Sequence, residues 1–210
     1  VKKYFLTIPV SDTVYLSEII IINDGSIDRT DNIIRSILKE EEKAGFTKLK
    51  LRYFSNSYNC GKGYSIKRGI EEARSDIIIF TDTDLPYGCP AILEMAESIT
   101  SGRTEVAVGD RTLVKGAYDK YGRGRYVTSR IFSFMTRNIV SEFPDTLCGL
   151  KGFTNMAAKK IFDKVTCRGF AFDVEMLAII KANKMAVLRM PVVFQPVVNS
   201  GAANKSMFSF

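Results

Sequence analysis

Histidine is absent from this 210-residue sequence, and its absence excludes any mechanism built on an imidazole base. Proton transfer or charge stabilisation must therefore fall to carboxylates, lysine, arginine, tyrosine or a metal ion. The cysteines are few and irregularly spaced: Cys60, Cys89, Cys148 and Cys167 form no paired CxxC, and without histidine they cannot complete a zinc site, so they read as reduced, cytosolic thiols. No apolar run approaches the roughly 18 to 20 residues that span a bilayer, and no charged-then-apolar signal segment opens the chain. The stretch reads as soluble, with room left for a membrane anchor outside it. Repeats and low-complexity tracts are also missing.

What is present is a hydrophobic content of 46%, enough for one substantial core, so residues 1–210 read as a single domain. Thirty Lys and Arg against 23 Asp and Glu leave a net charge of +7. Such a balance suits an anionic partner, whether nucleic acid, a phosphorylated ligand or an acidic membrane face, and charge alone does not choose among them.

Apolar runs of strand length recur at Phe5 to Val10, Glu18 to Ile22, Leu49 to Phe54, Asp76 to Thr81 and Val106 to Gly109, with helix-like segments between most of them. Ser26 and Asp28 can cap a helix reaching about Gly45, Lys62 to Ala73 forms a second, and Pro90 suits the first position of a third that ends near Gly102. Strands alternating with helices predict an α/β fold, a mainly parallel sheet covered on both faces. One interval does not fit. Ser11 to Leu16 is too short for a parallel crossover of a dozen or more residues, so either the first two strands are antiparallel or a segment is missing after Val10; omission is the favoured reading. The tail, 199–210, lacks periodicity and is expected to be loosely attached.

In an open parallel sheet ligands bind beyond the carboxyl ends of the strands, and three of those ends carry chemistry. Asn23-Asp24-Gly25-Ser26 follows one, Asn59-Cys60-Gly61-Lys62-Gly63 another, Asp82-Thr83-Asp84 a third. Residues two apart in extended chain face the same way, so Asp82 and Asp84 can both reach one cation, and Mg2+ or Mn2+ takes such oxygen ligands while leaving positions for diphosphate. The plain alternative is that they cap the next helix. Asp24 could accept hydrogen bonds from a base or ribose, or simply belong to a turn that Gly25 permits. Gly61-Lys62-Gly63 lets backbone and one cation approach a ligand, or equally begins a helix.

Five segments in order, IIINDGSIDRT from Ile20, NCGKGYSIKRG from Asn59, FTDTDLPYG from Phe80, DTLCGLKGF from Asp145 and GFAFDVEML from Gly169, together resemble family 2 glycosyltransferases of the dolichyl-phosphate glucose or mannose synthase type. The resemblance covers nearly the whole chain. It implies a GT-A (Rossmann-like) fold, a nucleotide-sugar donor, Mg2+ or Mn2+, and inversion at the anomeric carbon. Residues 1–110 would be the nucleotide-sugar-binding half and 111–198 the acceptor-binding half. By the same resemblance Asp24, Gly61, Lys62 and Asp82 bind donor, Asp82 and Asp84 hold the metal, and Arg111 faces phosphate. Asp84, Asp145 and Arg111 are the catalytic candidates; Lys151 and Asp173 lie on the acceptor side, Asp173 and Glu175 being the acidic pair of FDVE, with helix capping an equal reading for Asp173. Two departures stand out: the aromatic-Asn-Glu stretch expected after the first strand is absent after Val10, and Asn23 replaces the first aspartate of DDGS. The second should be tolerated, since neighbouring strand residues point to opposite faces.

Lys62 and the TDLPYG form look more like the glucose-type synthases, favouring UDP-glucose over a guanosine donor. A phosphate acceptor is already ionised near neutral pH and needs no strong base, which suits a chain without histidine. Arg123, Arg130 and Arg137 recur every seven residues and share one stripe if Arg125 to Val140 is helical, beside Val127, Ile131 and Phe134. That places Arg130 among the acceptor-binding candidates and suits a lipid phosphate at a bilayer edge; a core helix with solvated arginines is the alternative. The expected partners are thus a UDP-sugar, a polyprenyl phosphate and a membrane surface on its cytoplasmic side, with no nucleic acid. The rivals are a transferase acting on a saccharide or protein hydroxyl, with Asp145 or Asp173 as base, and a non-catalytic nucleotide-sugar-binding module.

Overall fold

The computed structural model describes residues 14–43, 49–116 and 140–195. The first unit is a parallel pair, β1 (Glu18–Asn23) and β2 (Lys50–Ser55), in register from Glu18 opposite Lys50 to Asn23 opposite Ser55. Four consecutive isoleucines, Ile19 to Ile22, suit a pleated surface covered from both sides. The crossover is helix α1 (Thr30–Lys43), which starts where the Asp28 carboxylate accepts the Thr30 N–H at 2.9 Å, so Asp28 rather than Ser26 supplies the cap. Helix α2 (Lys62–Glu72) packs on β1, and Glu18 pins the end of that connection by accepting the Arg74 and Ser75 N–H groups.

The second sheet holds β3 (Ile77–Phe80), β4 (Val106–Asp110), β5 (Lys151–Thr154) and β6 (Val187–Pro191) in the order β3-β5-β4-β6. Strand β5 runs antiparallel to both neighbours and β6 runs parallel to β4, so three of the four point one way. Its helices are α3 (Gly88–Thr100), α4 (Asn155–Lys164) and α5 (Phe172–Ala182). Alternation along the strands divides the core. Ile78, Val106, Val108 and Phe153 face α4 and α5, whereas Ala107, Leu150 and Met190 face Met95 and Ile99 of α3. Gly152 belongs to the α3 side, where a Cβ would stand 2.8 Å from the Met95 sulfur, so a bare backbone is what lets that helix approach.

Three sequence expectations are revised. Helix α3 begins at Gly88, so Pro90 is its third residue; a missing N–H still costs nothing there, because the first turn has no intrahelical acceptors. Strands β5 and β6 were not anticipated, and β5, from the expected acceptor half, inserts between β3 and β4 of the expected donor half. The strand over Phe5 to Val10, the Val10–Ser11 junction, the Arg123, Arg130 and Arg137 row and the tail 199–210 lie outside the described residues. No helix among the described residues is long and apolar enough to cross a membrane.

Candidate active site

The loops leaving β1, β2 and β3 are tied to one another and to the segments around β5 and α5. At the end of β1, Asp24 accepts the Asn56 amide and the Cys60 N–H at 2.8 Å on one oxygen and the Gly61 N–H at 2.9 Å on the other. Partial burial pushes its carboxyl up, but these hydrogen bonds outweigh that and hold it below the usual aspartate value. Gly25, at φ 71°, lies so close to the next loop that a Cβ would stand 2.2 Å from the Tyr58 carbonyl carbon. Asp24 is thus the clasp between two loops.

Asn23, one residue earlier, is buried and donates its amide to the Tyr53 hydroxyl at 2.9 Å while accepting the Ser26 N–H. The Tyr53 hydroxyl gives its own proton to Asp31 at 2.8 Å, so only its oxygen lone pairs remain for residue 23. An amide can donate there and a carboxylate cannot. This is the physical reason for asparagine at the position.

Lys62 opens α2 and reaches across to β3, its Nζ standing 2.7 Å from Asp82 Oδ1. The flanking glycines, read from sequence as admitting a ligand or equally as beginning a helix, do begin α2, and they also admit another stretch of this chain. A Cβ on Gly61 would lie 2.4 Å from the Arg168 carbonyl oxygen, and one on Gly63 2.3 Å from that of Cys167. Glu175, in the first turn of α5, holds this same stretch by accepting the Thr166 and Cys167 N–H groups. Asp82 Oδ2 in turn lies over Gly149, where a Cβ would meet it at 2.2 Å. Asp82 and Asp84 are not in extended chain as the sequence suggested. Strand β3 ends at Phe80, and Asp82 opens a turn closed by the Leu85 N–H on its carbonyl at 3.0 Å, with Leu85 at φ 48°. Asp84 is exposed in that turn and has no hydrogen bond or ion pair among the described residues.

The remaining candidates are interior. Arg111, just after β4, forks Asp145 through Nε at 2.7 Å and Nη2, with its backbone N–H on the same carboxylate at 2.8 Å. Burial disfavours the guanidinium charge, but Asp145 more than compensates and holds the pKa above its usual value. Lys151, fully buried, donates to Asp173 at 2.6 Å and to the Cys148 carbonyl, beneath the face of Phe80. Burial pushes the Asp173 carboxyl up against the pull of Lys151. Asp173 makes no cap, since the α5 N-cap is Ala171. The structure thus places the catalytic and acceptor-side candidates Arg111, Asp145, Lys151 and Asp173 in two buried ion pairs, Arg111 with Asp145 and Lys151 with Asp173. Burial also pushes the Cys148 thiol up to about 11, so no thiolate forms near neutral pH, and all four cysteines are free.

Sequence reasoning missed Gly149, the seat of Asp82, although it lay inside a quoted segment, and it missed Phe170. Phe170 is 70% exposed on the turn before α5, and its ring lies 6.0 Å from Lys62 Nζ. Among the described residues no group of three or more His, Cys, Asp or Glu could hold a metal ion. Two carboxylates, one seated on glycine and one without a partner among the described residues, still fit Mg2+ or Mn2+, which commonly takes one or two carboxylates and completes its shell with water and substrate phosphates.

The sequence pattern described as glycosyl transferase family 2 matches residues 9–162. The chain is 28% identical over 199 residues to a dolichyl-phosphate beta-glucosyltransferase of Saccharomyces cerevisiae, covering 89% of this chain and 59% of that protein. It is 28% identical over 180 residues to glycosyltransferase AglD of Haloferax volcanii, covering 85% and 28% respectively. The chain therefore spans less than two thirds of these relatives. Its fold matches glucosyl-3-phosphoglycerate synthase of Mycobacterium tuberculosis, solved with Mn2+, UDP and glucosyl-3-phosphoglycerate, at a TM-score of 0.60 and 18% identity over 91% of this chain and 64% of that one. The fold is thus of the GT-A kind, and the chain belongs to glycosyl transferase family 2.

Proposed function

We propose that this protein transfers glucose from UDP-glucose to a polyprenyl phosphate, with inversion at the anomeric carbon, at the cytoplasmic surface of a membrane. The observation that carries the reading is the Asp82–Asp84 turn at the carboxyl end of β3, where Asp82 faces Lys62 and Asp84 is exposed and unpartnered among the described residues. Relatives named dolichyl-phosphate beta-glucosyltransferase support the acceptor and the sugar. The solved synthase with Mn2+ and UDP-glucose supports the donor and the metal.

In this reading Asp82 and Asp84 hold Mg2+ or Mn2+, which when bound neutralises charge on the departing diphosphate. Lys62 stands beside that diphosphate, and Asp24 fixes the loop that brings Lys62 there. An acceptor phosphate oxygen attacks the anomeric carbon while the bond to the UDP oxygen breaks, giving the polyprenyl phosphate glucoside and UDP. The burial of Asp145 and Asp173 favours this acceptor. A sugar or protein hydroxyl would need one of them as base, and each is already paired with a cation, whereas a phosphate dianion arrives deprotonated. Arg111 and Lys151 then act as positioning residues: Arg111 holds the segment that carries Gly149, and Lys151 holds the start of α5.

The test is a mass-spectrometric screen of nucleotide sugars against polyprenyl phosphate with and without Mn2+. Selective, Mn2+-dependent formation of the lipid phosphate glucoside from UDP-glucose supports the reading. Preference for a free saccharide acceptor overturns the lipid assignment, and nucleotide-sugar binding without transfer to any acceptor overturns the enzymatic one.

A further inference from the structure

Resting on the donor-and-metal reading above, we propose that Lys62 is a resident counter-ion for Asp82 that a divalent cation must displace, so that cation and diphosphate bind as a coupled pair. Both oxygens of Asp82 are placed by neighbours within the chain. Oδ1 receives the Lys62 ammonium at 2.7 Å, and Oδ2 packs over the Cα of Gly149. A cation approaching the open side of this carboxylate meets a positive charge already seated on one of its two oxygens. The pair is half-open, with Lys62 27% and Asp82 40% exposed at the side chain, so exchange needs no opening of the core.

The lysine is anchored at its root, and its ion-paired tip is partly exposed. Its backbone lies between Gly61 and Gly63, both packed against the Cys167–Arg168 carbonyls, and the Tyr64 N–H donates to the Arg168 oxygen at 3.2 Å. The ammonium, by contrast, is a point charge on a four-carbon stem, within reach of a second resting place on the exposed ring of Phe170 at 6.0 Å. Asp84, exposed and unpartnered among the described residues, supplies a further oxygen to an incoming cation. A diphosphate arriving with the cation offers the displaced ammonium new partners. The cation alone offers none. Metal binding without nucleotide is therefore held weak, and nucleotide strengthens it. By linkage the metal strengthens nucleotide binding by the same factor.

The experiment titrates Mn2+ into the whole chain, following free Mn2+ by electron paramagnetic resonance, with and without saturating UDP. The parent, Lys62→Met and Lys62→Arg are compared at matched urea-unfolding midpoints. Lys62→Met should bind Mn2+ alone about fivefold more tightly, the upper end for a partly exposed ion pair, and the factor by which UDP tightens Mn2+ should be smaller than in the parent. Lys62→Arg should keep the parent's coupling. Equal Mn2+ affinity and equal UDP coupling in the parent and Lys62→Met would overturn the counter-ion role while leaving the donor-and-metal reading standing. Absence of Mn2+ binding in all three, even with UDP, would overturn both.

Discussion

Replacing Lys151 by methionine keeps most of the side-chain volume and removes the ammonium from a site where it is fully buried. The variant leaves the Asp173 carboxylate, itself 4% exposed, without the cation that stands 2.6 Å away, and it strips a donor from the Cys148 carbonyl. Breaking a buried pair from one side costs about 3–5 kcal/mol, so a loss of about 4 kcal/mol is expected. In a chain of this size that corresponds to roughly 8–16 °C in Tm. Asp173 can relieve the strain by taking up a proton, since burial already raises its pKa. A carboxyl raised in the folded state contributes stability that is present at low pH and lost as pH rises, so the deficit should be smaller at pH 5 than at pH 8. Urea unfolding followed by circular dichroism measures both effects. The double variant Lys151→Met/Asp173→Leu, with neither charge left, should recover most of the loss. A single-variant cost under about 1 kcal/mol, or a double variant as unstable as the sum of the singles, would refute the buried pair.

Gly149→Ala should move Asp82 off its seat, lowering Mn2+ affinity measured by paramagnetic resonance more than tenfold while the unfolding free energy measured in urea changes by under about 1 kcal/mol; unchanged Mn2+ binding would contradict the seating. Asn23→Asp should cost about 1–3 kcal/mol in urea unfolding, because it buries an acceptor opposite a hydroxyl whose proton belongs to Asp31; a neutral effect would contradict that assignment. Hydrogen bonds hold Asp24 below its usual pKa, so its contribution is present at neutral pH and lost as pH falls below about 4. Asp24→Asn should therefore be less stable than the parent at pH 7 and converge with it on acidification.

Much of the first half was legible because its signals are local. The isoleucine run of β1, the Asp28 cap and the Gly61-Lys62-Gly63 helix start each lie within a few residues of the feature they specify, and β1 to β4 and α1 to α3 fall near their expected limits. The second sheet was harder. Strand β5 is four residues long and begins with a lysine, so its pattern reads polar. Only the interior position of Asp173, fixed by α5 packing, shows that this lysine points into the core. Strand β6 carries Arg189, whose Nε bonds Asp110 of β4 at 2.6 Å, a contact no local pattern announces. At the site, the motifs gathered the correct segments, but residue type could not separate exposed charges from paired ones. Asp82 and Asp145 look alike in sequence. One faces the half-open Lys62 and the other is sealed against Arg111. The closeness of Gly149 to Asp82 links positions 67 residues apart and follows only from β5 lying beside β3.

The most direct measurement of the central claim is Mn2+-dependent transfer of glucose from UDP-glucose to a polyprenyl phosphate by the parent, Asp82→Asn and Asp84→Asn, each shown by circular dichroism to retain its fold. Loss of a metal-bound carboxylate charge should lower kcat/KM by at least about a hundredfold in each variant, with the parent making the lipid phosphate glucoside and no free-saccharide product. Full turnover by either variant in the presence of Mn2+, or a parent that prefers a saccharide hydroxyl, would contradict the account.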